Sequence, residues 1–159
     1  MTKKKTIRKK SFNPTKKVFK NLGLIEELGF MERYAMFMGK VQILEFGLKR
    51  LLTDYKKYEY EKLEKNTLGQ VIRKLKKNHL REDYLYLLED LLEYRNYFAH
   101  DFLADNALAN MFLGGEGSFT KPPRQLWHAL FSVEQAILVF DFIKTNGSFW
   151  KEESKPQKK

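Results

Sequence analysis

Arg95, Asn96 and His100 are the residues of this 159-residue chain whose types and spacing suit a chemical step. They close the stretch 80–101, LREDYLYLLEDLLEYRNYFAHD. An imidazole moves protons near neutral pH. A guanidinium binds phosphate oxygens through a planar fork of donors. Together they suit a phosphodiester. Asn96 and His100 are four residues apart and share a helix face. Arg95 stands about 100° round the helix from Asn96, within side-chain reach of the same ligand. The competing reading is a charged helix end, with His100 favoured by the helix dipole and Arg95 in a surface ion pair with Asp101.

The element that must hold these groups is the helix before them. Tyr84, Leu85, Leu88, Leu91, Leu92, Tyr94 and Phe98 fall at helical spacing and form a broad apolar face. A second stripe, Tyr34, Phe37, Met38, Val41, Leu44, Leu48, Leu51 and Leu52, predicts a long helix from about Glu26 or Gly29 to Asp54. Gly39 and Gly47 interrupt it, either as close-packing points or as tolerated glycines. Glu45, beside this stripe, either pairs with Arg95 or sits solvated on the rim. Residues 55–66, YKKYEYEKLEKN, read as a frayed helix end or a solvated connection.

Thr67 followed by Gln70 at the third position has the form of a capping box and predicts a helix start. Leu68, Val71, Ile72 and Leu75 face inward there, and Arg73, Lys74, Lys76 and Lys77 outward. The KLKKNH segment, residues 74–79, is either a phosphate-binding edge or a solvated helix flank. After His100, Asp105 is a candidate cap, and Gly114, Gly115 and Gly117 make a loop that either covers a site or merely connects. The last helix runs from near Pro123 to Asn146, with Gly147 as its stop. Its apolar face is too wide for one neighbour, so it is either central or partly in a subunit interface. His128 reads as structural, and Phe149 and Trp150 as a lid over the bundle end. The sum is an all-α, up-and-down bundle of four to five helices.

Composition narrows the function. No cysteine is present, so disulfide and thiolate chemistry are excluded. Three scattered His argue against a structural zinc site. No metal or other cofactor is expected. No apolar run reads as a membrane span, and no hydrophobic run follows the charged N-terminus as in a secretory signal, so a cytoplasmic protein without membrane attachment is the expectation. The net charge of +10 is uneven: residues 1–20 hold nine Lys or Arg and no acid. The expected organisation is a basic disordered arm over 1–20, a helical domain over 21–150 and a basic tail over 151–159. Such arms suit RNA, an acidic membrane or an acidic partner, or only aid solubility.

At Tyr94-Arg95-Asn96-Tyr97-Phe98-Ala99-His100 the chain resembles the HEPN family (higher eukaryotes and prokaryotes nucleotide-binding). The family motif is Arg, a polar residue, three further residues and His, near the end of a long bundle helix. Arg95, Asn96 and His100 match it, and the helix start at Thr67 and Gln70 is similar to bacterial members. The likeness spans roughly 21–150. It implies a homodimer whose two motifs face a composite cleft. Many members are metal-independent endoribonucleases, among them toxins and abortive-infection proteins; others are inactive nucleotide-binding or antitoxin-like modules. For this chain the resemblance implies RNA as substrate and a separate nucleotidyltransferase or antitoxin protein as partner.

On that footing the expected reaction is RNA cleavage through the ribose 2′-hydroxyl. His100 moves the proton, Arg95 holds the phosphate, and Asn96 positions the phosphate or orients His100. The rivals are a noncatalytic nucleotide- or RNA-binding module using the same surface, and a structural helical dimer.

Overall fold

The computed structural model describes residues 13–100 and 124–151. Among these residues the chain is an all-α, up-and-down helical bundle with no sheet. Its helices are α1 (Pro14–Gly23), α2 (Phe30–Lys56), α3 (Tyr60–Glu64), α4 (Leu68–Lys77), α5 (Glu82–Asn96) and α6 (Arg124–Asn146). Two short helices, α1 and α3, take the count among the described residues to six against the four to five expected; α3 falls in the stretch 55–66 read as a frayed helix end or a solvated connection. Each has a local reason to form. Asn13 caps α1 by accepting from the Lys16 amide at 3.2 Å, with Pro14 in the first turn. Val18 and Leu22 then bury its inner face against α6. α3 buries Leu63 among otherwise exposed charge. Because α1 begins at Pro14, folded structure reaches into the segment read as the basic arm. Residues 1–12, the loop 101–123 with its glycines and Asp105, and residues 152–159 lie outside the described residues.

α2 starts where the Gly29 amide donates to the Glu32 carboxylate at 2.7 Å. Its stripe is buried as the spacing predicts, from Phe37 through Leu52. Gly47 faces α6, where a β-carbon would stand 3.4 Å from the Phe140 ring, an ordinary van der Waals contact. Gly39 has nothing within 4 Å and is the tolerated kind. Glu45 takes neither expected role. It pairs with Lys49 one turn on, at 2.7 Å, and the Lys49 ammonium also donates to the Glu64 carbonyl at 2.9 Å. The local pair wins because residues four apart on one helix are already neighbours.

α6 is the centre. α1, α2 and α5 all pack against it, which explains its wide apolar face. It also departs from the sequence expectation. By length and composition α6 is apolar enough to cross a membrane, with mean hydropathy 1.4 over its best window, half of which is buried inside the bundle. Its buried carboxylate, Glu134, is held by Lys40 of α2 and by the Asn21 amide of α1 at 3.0 Å. Ser132 donates to Asp90 of α5 at 3.0 Å.

Phe149 and Trp150 close the bundle end as expected. Phe149 is buried, its ring 5.1 Å from that of Phe140 and 6.1 Å from that of Tyr84. Its carbonyl accepts from the Arg81 amide at 2.8 Å, and the Lys151 amide donates to the His79 carbonyl at 3.0 Å. His79 sits at φ 61, the left-handed turn that reverses the chain between α4 and α5.

Candidate active site

The site is built at the C-terminal end of α5. Regular α-helix stops at Asn96, and residues 97–100 continue as a wider π turn with i→i+5 hydrogen bonding. The turn is pinned from inside. Phe98 is fully buried and packs edge-on against Phe37 at 5.6 Å, Tyr34 at 6.4 Å and Tyr97 at 5.0 Å between ring centroids. π turns recur at functional sites because they re-aim side chains. Here the effect is specific. On an ideal α-helix a residue five positions on lies about 140° round, facing away. The wider turn brings it back over its partner, and Arg95 Nη1 lies 3.4 Å from His100 Nε2.

Arg95 is the hub. The same Nη1 donates to Asn96 Oδ1 at 3.1 Å. The sequence links Asn96 to His100 through shared face; the structure instead orients Asn96 on Arg95. Asn96 and His100 are exposed and Arg95 is half-buried, so the group faces solvent on a rigid base. Arginine cannot give up its proton, so it is the donor in both contacts. A hydrogen bond across this gap has His100 Nε2 as acceptor, which requires the tautomer that carries its proton on Nδ1.

Tyr34 of α2 is a neighbour that periodicity assigns only to the core. Its hydroxyl lies 3.5 Å from the Phe98 carbonyl oxygen in the π turn. Burial raises its pKa, and the nearby Arg95 charge acts in the opposite direction. The phenol thus stays protonated as a neutral donor beside the cationic site. Nothing in the sequence separates Tyr34 from the other residues of the α2 stripe.

Beside the motif, α4 and α5 enclose a cavity of about 400 Å³. Thr67, Gly69 and Arg73 line it from α4 and its cap, and Glu89, Arg95 and Asn96 from α5. The predicted capping box is present: the Thr67 amide donates to Gln70 Oε1 at 2.9 Å. Gly69 faces α5, where a β-carbon would make ordinary van der Waals contact with Leu92 at 3.4 Å. Glu89 is ion-paired to Lys76 at 3.0 Å, so Arg73 and Arg95 supply the cavity's uncompensated charge. His100 is outside this lining and meets the cavity through Arg95. Arg73 is the second residue missed as a site component, although its place on the basic flank of α4 is legible. His128, read from sequence as structural, is exposed on α6.

Among the described residues, no group of three or more His, Asp or Glu converges as metal ligands. No family model matches the sequence, and neither the curated proteins nor the solved structures contain a match to it.

Proposed function

We propose that this chain is a metal-independent, HEPN-type endoribonuclease that cuts RNA by attack of a ribose 2′-hydroxyl on the adjacent phosphorus, acting as a toxin or abortive-infection component. The observation that carries the reading is the 3.4 Å approach of Arg95 Nη1 to His100 Nε2 on an exposed, core-anchored π turn beside a cavity with a second arginine. A general base needs an available lone pair within reach of the proton it takes, and the His100 tautomer protonated on Nδ1 offers one at Nε2. A phosphate entering the cavity draws the Arg95 fork to its oxygens and releases Nε2 toward the ribose. His100 then takes the 2′-hydroxyl proton as the new oxygen–phosphorus bond forms. Arg95 stabilises the extra negative charge on the five-coordinate phosphorus. The phosphorus–5′-oxygen bond breaks, and the leaving oxygen takes a proton. The products are a 2′,3′-cyclic phosphate and a 5′-hydroxyl. The second proton-transfer group comes from a second copy of the chain, in a two-fold dimer that sets the two motifs across one cleft.

The test is cleavage of an RNA oligonucleotide by the pure protein in EDTA. Cleavage lost in His100→Ala, and lost again when the scissile nucleotide carries 2′-deoxyribose, supports the mechanism. Equal cutting of the deoxy substrate eliminates the 2′-hydroxyl route. Full activity in His100→Ala eliminates this site. Binding without cleavage in the wild type leaves the noncatalytic RNA-binding module as the function.

A further inference from the structure

α4 separates two depressions. One is the cavity next to Arg95. The other, of about 350 Å³, is lined by Tyr58, Asn66, Gln70, Arg73, Lys74 and Lys77. Arg73 belongs to both. Among the described residues, the second depression is lined by three cations, two amides and a phenol, with no carboxylate.

The unlike treatment of neighbouring lysines is informative. Lys76, between Lys74 and Lys77 in sequence, is ion-paired to Glu89 at 3.0 Å. Among the described residues, no ion pair holds Arg73, Lys74 or Lys77. Isolated surface lysines of this kind are usually only solvated, but these line a formed depression and are positioned. The Lys74 ammonium sits 5.4 Å from the centre of the Tyr58 ring. The Tyr58 hydroxyl in turn accepts from the Asn78 amide at 3.0 Å, and Asn78 also donates to the Lys74 carbonyl at 2.8 Å. Arg73 and Lys77 are one helical turn apart, about 6 Å along the axis. The Gln70 oxygen is taken by the Thr67 amide, so its amide nitrogen is the end left to donate.

Resting on the RNA-cleaving reading of the Arg95 site, we propose that this face of α4 is a track for the single-stranded RNA flanking the cleaved bond. Arg73 is the joint that passes the backbone from the catalytic cavity to the Lys74–Lys77 depression. A row of unpaired cations without carboxylates matches a polyanion. Depressions of roughly nucleotide size with amide donors match separate nucleotides better than a smooth duplex.

The experiment uses uncleavable 2′-O-methyl oligouridylates of four and twelve nucleotides over a salt series. Three full-length proteins are compared: wild type, Lys74→Gln/Lys77→Gln, and a charge-matched control, Arg50→Gln/Lys144→Gln, whose cations lie outside both depressions on α2 and α6. The track variant is expected to bind the four-mer like wild type. It should bind the twelve-mer about 5- to 20-fold more weakly, with a log–log salt slope shallower by about 1.4, since each lost single-strand phosphate contact removes about 0.7. The control should stay within about 2-fold of wild type, with its slope unchanged, because its charges contact no phosphate. An unchanged slope in the track variant, or an equal loss in the control, overturns the proposal. So does polyglutamate displacing the twelve-mer as well as RNA does, which marks an acidic-protein surface. Metal-free cleavage measured in parallel separates the two readings. Cleavage with track-independent binding removes the track alone, and track-dependent binding without cleavage removes the nuclease alone. Absence of both removes both.

Discussion

The Tyr34 hydroxyl stands 3.5 Å from the Phe98 carbonyl oxygen, while the two rings meet edge-on 6.4 Å apart. The contact ties α2 to the turn that carries His100. At that length the hydrogen bond is weak, so the ring does most of the holding. Tyr34→Phe should therefore change stability by under about 1 kcal/mol. Turnover should fall about 3- to 10-fold, because the neutral donor beside Arg95 is gone. Tyr34→Ala should lower stability by about 2 kcal/mol, through lost packing on Phe98. Chemical denaturation and steady-state cleavage read the two effects separately, and a Tyr34→Phe enzyme with wild-type turnover would confine Tyr34 to packing.

The motif residues should fail in different ways. His100→Ala should cut turnover by about 10²- to 10⁴-fold and leave RNA affinity nearly intact. Arg95→Ala should lower both, turnover by about 10²-fold or more. Arg95→Lys should recover binding better than rate, since an ammonium restores charge without the planar fork. Asn96→Ala should be milder, because Asn96 acts through its 3.1 Å contact with Arg95. Single-turnover rates with matched binding measurements decide the ordering, and circular dichroism should show the helical fold intact in all four.

Glu134 sits 4 % exposed on the central helix, compensated by Lys40 and Asn21. Lys40→Met strands that carboxylate and should destabilise by ~2–4 kcal/mol. Adding Glu134→Leu to the same protein should return most of the loss, because no buried charge then lacks a partner. Urea midpoints of the two single variants and the double variant give the cycle; an additive double variant would show that the pair is not coupled.

Tyr84 lies at the heart of the α5–α6 interface, its hydroxyl donating to the Ala136 carbonyl at 3.2 Å. Burial pushes its pKa well above 10.0, with Asp141 adding to the shift. The unfolded chain gives up this proton near the ordinary tyrosine value, and the folded chain retains it. The folded state therefore binds more protons above about pH 10, and stability must fall as pH rises through that point. Tyr84→Phe should flatten the alkaline fall in melting temperature. Part of the slope should persist, since Tyr34 and Tyr94 are shifted the same way by burial.

Helical periodicity was enough to locate α2, α4, α5 and α6, because each buries a stripe of leucines and aromatics whose spacing is the helix itself. The caps were legible for the same reason: Thr67 with Gln70 is a local device, complete within four residues. What was not legible depends on distant partners. Glu45 has candidate cations both near and far in sequence, and only packing shows that Lys49 claims it. α1 looks like charge with a few apolar residues until α6 supplies a wall for Val18 and Leu22. Arg95, Asn96 and His100 were identified by type and spacing. Tyr34 and Arg73 were missed as members because each reaches the site from another helix.

The π turn at 97–100 makes the number of residues between Arg95 and His100 a measure of helix pitch. Straightening this turn into ordinary α geometry with the sequence unchanged would carry the imidazole about 140° round the axis from Arg95, to the far side of the helix. Composition would be preserved and the approach of the imidazole to the guanidinium would be lost. The motif is thus written in the gauge of the backbone as much as in its side chains.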